Sequence, residues 1–304
     1  MKKIIIMIIA CLASVISMYG QDRRWHFAVV GDTHLPDAYT IRKIIPSLID
    51  NKVEVVLFAG DLIQAGKRQS VQGMYDELLQ WKELTQPLRD AGIKILAIRG
   101  NHEADVKGDN FKPWKELISS DLNIVSSYKN VTFIGMDNYL DGEHTVDTGW
   151  LKKVLKEANK DNIIVPFGHE PAFTCNTFHP VCLDANENNR NKFWSLLEEY
   201  GIDYYFCGHT HQYNHCTITH DGKTIYQIVS GGGGGFLQPK RGGIKNADVY
   251  KVESVELKSE TGYVLVEVSE KSLSTEWISI YDKDVKNKPI PKMRNRPGGR
   301  AGDR

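Results

Sequence analysis

From residue 25 onward, short apolar runs alternate with longer segments in which apolar positions recur every three or four residues. The short runs, at 26–30, 53–59, 93–98, 131–136, 163–167 and 203–207, predict strands. The segments between them, at 41–49, 71–88, 111–118, 149–158 and 189–200, predict helices, with Pro46 as a start or kink in the first. Strands joined by helices in this way predict an α/β fold. After residue 207 the pattern changes, and strands at 217–219, 224–229, 263–268 and 274–280 follow without long helices. A second sheet packed on the first accommodates them.

The two ends of the chain read differently. Met1-Lys2-Lys3 precedes an apolar run from Ile4 to Met18, which predicts a signal peptide over residues 1–20, cut near Gly20. The run falls short of the roughly 18 or more apolar residues that span a bilayer, so no stable membrane span is expected after cleavage. Ile8-Ile9-Ala10-Cys11 resembles a lipobox, but the apolar stretch before Cys11 is short for lipoprotein anchoring. The expected location is therefore periplasmic or secreted. One domain is expected over 21–282, followed by a basic Pro/Gly-rich tail at 283–304 of low apolar content.

Composition narrows the classes. With 41% hydrophobic and 25% charged side chains among 304 residues, the chain is globular rather than fibrous or wholly disordered. Lys plus Arg and Asp plus Glu are both 38, so no global field favours a nucleic-acid polymer or an anionic membrane. Export would leave Cys175, Cys182, Cys207 and Cys216, which allow three pairings. Cys175 with Cys182 closes a short loop, Cys207 with Cys216 clips a turn, and four buried thiols is the other arrangement. At least one disulfide is expected of an exported chain. No pair has the spacing of a cysteine zinc site.

The polar residues carry the chemistry. Asp32-Thr33-His34 follows the first predicted strand, Gly60-Asp61 the second, and Gly100-Asn101-His102-Glu103 the third. Gly168-His169-Glu170 follows the fifth and Gly208-His209-Thr210-His211 the sixth. Ligand sites in open α/β sheets gather at strand C-terminal ends. Each fragment alone is as common as a turn, but five in this order point to one site. Imidazole and carboxylate donors suit Mn, Fe, Zn or Co better than Mg or Ca alone.

In this pattern the chain resembles the calcineurin-like metallophosphoesterase superfamily over roughly residues 25–230. The resemblance implies a four-layer α-β-β-α sandwich of two mixed sheets and a centre of two divalent or trivalent metal ions. It implies Asp32, His34 and His211 on one ion, Asn101, His169 and His209 on the other, and Asp61 bridging both. It also implies hydrolysis of a small phosphorylated substrate by a metal-bridging hydroxide attacking in line, without a phosphoenzyme. His102, beside Asn101, is implied as the residue that stabilises or protonates the leaving oxygen, with Glu103 or Asp32 as candidates to orient it.

Departures refine the resemblance. Purple acid phosphatases carry a tyrosine ligand where this chain has Gln64, and lack a histidine at the place of His34, so an iron-tyrosinate centre is not expected. The layout looks more like single-domain enzymes related to bacterial cyclic-nucleotide phosphodiesterases. Gly231 to Gly235 reads either as a rim loop offering N–H groups to phosphate or as a flexible connector. Trp114, Tyr139, Phe173, Phe178 and His179 are candidates to stack on a substrate ring or to pack, and Lys67 and Arg68 to meet a phosphate or water. A non-catalytic metal-stabilised binding protein would lack a ligand or His102, and nothing is missing. A nuclease would carry a basic stripe, and only the tail is distinctly basic.

Overall fold

The computed structural model describes residues 24–35, 38–140, 142–176, 181–239, 243 and 249–280. The predicted signal segment, the tail, Phe178 and His179 lie outside them. The strands are β1 (Trp25–Val30), β2 (Val53–Ala59), β3 (Lys94–Ile98), β4 (Ile124–Tyr128), β5 (Val131–Met136), β6 (Ile163–Gly168), β7 (Tyr204–Cys207), β8 (Tyr213–His220), β9 (Lys223–Ser230), β10 (Lys251–Lys258), β11 (Gly262–Val268) and β12 (Leu273–Ser279). The helices are α1 (Tyr39–Asp50), α2 (Val71–Leu84), α3 (Gln86–Asp90), α4 (Asn101–Ala104), α5 (Phe111–Leu117), α6 (Thr148–Glu157) and α7 (Glu187–Glu199). None of the described helices is long and apolar enough to cross a membrane.

The strands build two mixed sheets, ordered β12-β11-β1-β2-β3 and β10-β8-β9-β7-β6-β5-β4. β1, β2 and β3 run parallel, as do β5, β6, β7 and β9, while β11, β12, β4, β8 and β10 add antiparallel pairs. Strand periodicity assigns the faces. In β1, Phe27 and Val29 enter the core between the sheets, with Phe133, Phe167, Phe206 and Val264, whereas Ala28 and Val30 face α1 and α2. The second sheet buries Ile134, Tyr205 and Val229 against α6 and α7. Helices therefore cover both outer faces, and the architecture is the expected four-layer α-β-β-α sandwich.

Two departures from the sequence pattern have physical causes. The predicted helix at 71–88 divides after Leu84, where Thr85 Oγ1 donates to the Trp81 carbonyl at 2.8 Å and Pro87, lacking an N–H, opens α3. Strands β4 and β10 are edge strands in which Ser126-Ser127 and Glu253, Ser254 and Glu256 interrupt the apolar residues, so neither gives an apolar run.

Gly231 to Gly235 leaves β9 as a tightly packed strap, neither a flexible connector nor a row of free donors. Gly231, Gly233 and Gly235 donate their N–H groups to the carbonyls of Gln212, Gly31 and Asp32 at 3.0, 3.0 and 2.8 Å. A Cβ at Gly233 would stand 2.2 Å from the Gly31 carbonyl oxygen, so only glycine lets the strap lie against the loop after β1.

All four described cysteines are free and buried. Neither pairing suggested by chain proximity is formed. Instead the Cys216 thiol donates to the Cys175 sulfur, and the Asn214 amide, two residues before Cys216 on β8, donates to the Cys175 carbonyl at 2.5 Å. Mild oxidation of the folded protein should therefore join Cys175 to Cys216. Peptide mapping of non-reduced, alkylated protein checks this, and a Cys175–Cys182 or Cys207–Cys216 bridge would contradict it.

Candidate metal centre

The loops at the C-terminal ends of β1, β2, β3, β6 and β7 bring all the predicted ligands together. Their backbones are strained to do so. Asp32, His34, Asp61 and His209 all have positive φ, at 61°, 47°, 48° and 67°, a region that costs a non-glycine residue about 1–2 kcal/mol. Glycine gives the loops their close approach: a Cβ at Gly60 would stand 2.4 Å from His169 Nδ1, and one at Gly100 only 2.1 Å from Asp61 Oδ1.

Two donor groups result, Asp32, His34, Asp61 and His211 in one and Asp61, His169 and His209 in the other, with donor atoms within 4.8 Å of one another. Asp61 belongs to both. Its Oδ1 is taken by the His102 N–H at 2.9 Å, while Oδ2 stands 3.6 Å from His34 Nε2 and 3.4 Å from His169 Nε2. Asp32 accepts the His209 N–H and presents Oδ1 to His211 Nε2 at 3.6 Å. Asn101 Oδ1 completes the second group, 3.2 Å from His169 Nε2 and 3.0 Å from His209 Nδ1.

Backbone carbonyls settle the tautomers of three histidines. A carbonyl only accepts, so His169 Nδ1 donates to Ala59 at 2.7 Å, His209 Nε2 to Val181 at 2.9 Å and His211 Nδ1 to Phe236 at 2.9 Å. Their other ring nitrogens carry lone pairs in the neutral form, and these converge. His169 Nε2 and His209 Nδ1 are 3.1 Å apart, and His34 Nε2 and His211 Nε2 are 3.0 Å apart. The first pair is two neutral acceptors facing each other and requires a cation or a proton between them, while His34, whose Nδ1 is buried without a hydrogen-bond partner, brings its Nε2 to the His211 lone pair. Donors each about 2.1 Å from one ion stand about 3.0 Å apart at a right angle and about 3.4 Å at the tetrahedral angle, so the spacing fits transition metals.

The charge balance makes the same demand. Asp32, Asp61 and Glu103 are all buried. Burial, reinforced by Asp61, holds the Asp32 carboxyl well above the usual range. Burial also opposes ionisation of Asp61, but His169 outweighs it and holds that carboxyl well below its usual value. Burial pushes His34 down to about 3, while in His169 the Asp61 carboxylate overrides burial and raises the imidazole to about 10. With protons alone, one imidazolium must carry positive charge that metal ions would supply.

His102 stands outside both donor groups. Its Nδ1 donates to the Gln64 carbonyl at 2.8 Å, and Nε2 lies 4.0 Å from Asp61 Oδ2. Neither sequence candidate orients it. Glu103 instead accepts from the N–H groups of Gly100, Asp61 and Ile63 at 2.7, 3.1 and 3.1 Å, bracing the Asp61 backbone, with its own carboxyl pushed up to about 7 by burial and then by Asp61.

Other candidates separate by burial. Trp114 and Phe173 are core residues, and Tyr139 donates to Glu170 at 2.6 Å, a carboxylate also paired with His144 Nδ1 at 2.8 Å. Lys67 lies 3.7 Å from Asp105, and Arg68 is exposed. The carbonyls of Gln64, Val181 and Phe236 carried no sequence signal, because backbone acceptors have no residue identity. A cleft of 840 Å³ lies at the other end of the second sheet, lined by Ile163, Tyr204 and Leu273 among others, and holds none of the ligand candidates.

Comparison with known proteins agrees with the geometry. The calcineurin-like phosphoesterase family model matches residues 26–213. Purple acid phosphatase 23 of Arabidopsis thaliana is 26% identical over 220 residues, covering 61% of this chain and 46% of that protein. Tartrate-resistant acid phosphatase type 5 of Homo sapiens is 30% identical over 151 residues, covering 49% of this chain and 43% of that protein. The chain thus spans less than half the length of these curated relatives. The purple acid phosphatase PPD1 from yellow lupin (Lupinus luteus) seeds shares the fold, with a TM-score of 0.67 at 15% identity over 86% of this chain and 52% of that one. The Arabidopsis and lupin proteins carry purple acid phosphatase names, although the chain has Gln64 where a tyrosine ligand is expected of that group. The match spans more than half of the chain and contains every convergent donor, and the chain belongs to the calcineurin-like phosphoesterase family.

Proposed function

We propose that this chain is an exported dinuclear-metal phosphoester hydrolase, with residues 21–282 as its catalytic domain. The observation that carries the reading is the convergence of histidine lone pairs fixed by carbonyls on their far nitrogens, around a carboxylate oxygen common to both sets. Asp32, His34 and His211 would hold one ion, Asn101, His169 and His209 the other, and Asp61 would bridge. Mn, Fe, Zn or Co suits the donors. Two such ions, when bound, would supply Lewis acidity to the phosphoryl oxygens and make a water more acidic.

The remaining work falls to side chains. His102 is 24% exposed and lies on the open side of the cluster. Its Nδ1 proton is committed to the Gln64 carbonyl, so Nε2 is the atom that exchanges a proton with a leaving oxygen. Asn101 contributes an oxygen without charge, which keeps the centre attractive to phosphate. Export rests on the charged and apolar pattern of residues 1–18.

Purified protein reconstituted with Mn, Fe, Zn or Co should hydrolyse at least one of a panel of phosphomonoesters, phosphodiesters, cyclic nucleotides and pyrophosphates, and lose that activity to a chelator. Asp61→Asn should lower the content of both ions together, measured by elemental analysis. Full metal content with unchanged activity in that variant would overturn the bridging role.

His102→Ala should keep its metals and lose about 10² to 10⁴ in rate on alkyl phosphates. The loss on p-nitrophenyl phosphate should be smaller, since its leaving oxygen needs less protonation. Equal losses would indicate charge stabilisation alone, and lost metal would place His102 among the ligands.

A further inference from the structure

The Gly231–Gly235 strap ends in Phe236, whose surroundings differ from those of Trp114, Tyr139 and Phe173. Trp114 and Phe173 are buried and Tyr139 is hydrogen-bonded to Glu170, but Phe236 is 79% exposed, the highest value among the large hydrophobic residues described. An exposed phenyl ring is ordinary on a mobile loop. Here the backbone on both sides is fixed: Gly235 donates to the Asp32 carbonyl at 2.8 Å, the Phe236 carbonyl accepts from His211 Nδ1 at 2.9 Å, and Gln238 donates to the His211 carbonyl at 2.9 Å.

Its position is set by the cluster itself. A Cβ at Gly235 would lie 2.6 Å from His211 Nδ1 and 2.8 Å from His34 Cδ2, so this Cα is pressed against both rings. The Phe236 Cα follows about 3.8 Å further along the chain. Asp32, Asp61 and His169 are almost wholly inaccessible, whereas His211 retains 15% of its side-chain exposure and His102 retains 24%. The solvent-open side of the centre therefore runs past His211, and Phe236 stands on that edge. A phenyl ring has only two side-chain torsions to fix, so a ring mounted on a held backbone is a low-entropy platform.

We propose that Phe236 is a specificity-determining residue that stacks on a planar aromatic ring in the leaving group of the phosphoester, either a nucleobase or an aryl alcohol. This rests on the reading of the site as a phosphate-binding metal centre. Stacking of one ring on an aromatic side chain changes affinity by about 5- to 100-fold. It acts on the substrate and on the transition state alike, so its loss raises KM and leaves kcat in place.

The test separates binding from turnover. Calorimetry on Mn-loaded protein measures Kd for phenylphosphonate and for cyclohexylphosphonate, which match in apolar bulk and differ in planarity. The wild type should prefer the phenyl compound, Phe236→Ala should lose that preference, and Phe236→Trp should keep it, with metal content the same in all three. Initial rates then identify the source of the ring: Phe236→Ala should raise KM for adenosine monophosphate but not ribose 5-phosphate if it is a nucleobase, and for phenyl phosphate alone if it is an aryl group. Equal effects of Phe236→Ala on phenyl- and cyclohexylphosphonate, or no effect on either, would overturn the proposal even where the esters are hydrolysed. A phenyl preference lost in Phe236→Ala, with no ester hydrolysed, would support the stacking site and overturn the hydrolase reading. Absence of phosphonate binding would overturn both.

Discussion

Asp61 is a buried carboxylate whose two oxygens do different work. Oδ1 is held by the backbone of the loop after β3, and Oδ2 faces His34 on one side and His169 on the other. Much of the surrounding structure exists to keep it there. Glu103 accepts the Asp61 N–H, a second buried carboxylate placed against the first, and Asp32 lies close enough for mutual repulsion. Burying like charges costs several kcal/mol each unless cations compensate. The left-handed backbones of Asp32, His34, Asp61 and His209 add to that cost. Such an arrangement is expected where binding ions repays the expense, and it gives the donor geometry a reason beyond packing.

The two sheets convert this local demand into a fold. Parallel β1, β2 and β3 end together in the first sheet, as do β6 and β7 in the second, so the layer between the sheets brings both sets of loops to one edge. The inter-sheet core of Phe27, Phe133, Phe167 and Phe206 lies beneath that edge, and its edge-to-face ring contacts give a rigid support. The strap after β9 then crosses from the second sheet to the loop after β1. It closes the centre on the His211 side and leaves Phe236 outside.

Legibility in the sequence followed the origin of each feature. Central strands such as 53–59 and 131–136 are buried on both faces and therefore read as apolar runs. Edge strands β4 and β10 are only partly buried, carry serine and glutamate among their apolar residues and do not. The candidate ligands were legible because each is a polar residue following an apolar run, with a glycine that only close packing explains. What escaped was contributed by the backbone: the carbonyls of Gln64, Ala59, Val181 and Phe236 orient four imidazoles, and any residue supplies the same oxygen. Glu103 was visible as a carboxylate beside His102, yet its role under Asp61 depends on three N–H groups brought together only in space. The glycine run could be read as connector or anion loop, and neither reading anticipates that the N–H groups of Gly231, Gly233 and Gly235 are used within the protein.

The central claim is that one oxygen of Asp61 lies between two metal ions. Anomalous X-ray scattering from crystals of the metal-loaded protein, collected above and below the absorption edge of the metal supplied, tests it directly. The account predicts two anomalous peaks about 3.5–4 Å apart, one contacted by Asp32, His34 and His211 and the other by Asn101, His169 and His209, with Asp61 touching both. A single peak, or two peaks with Asp61 bound to only one, would contradict it.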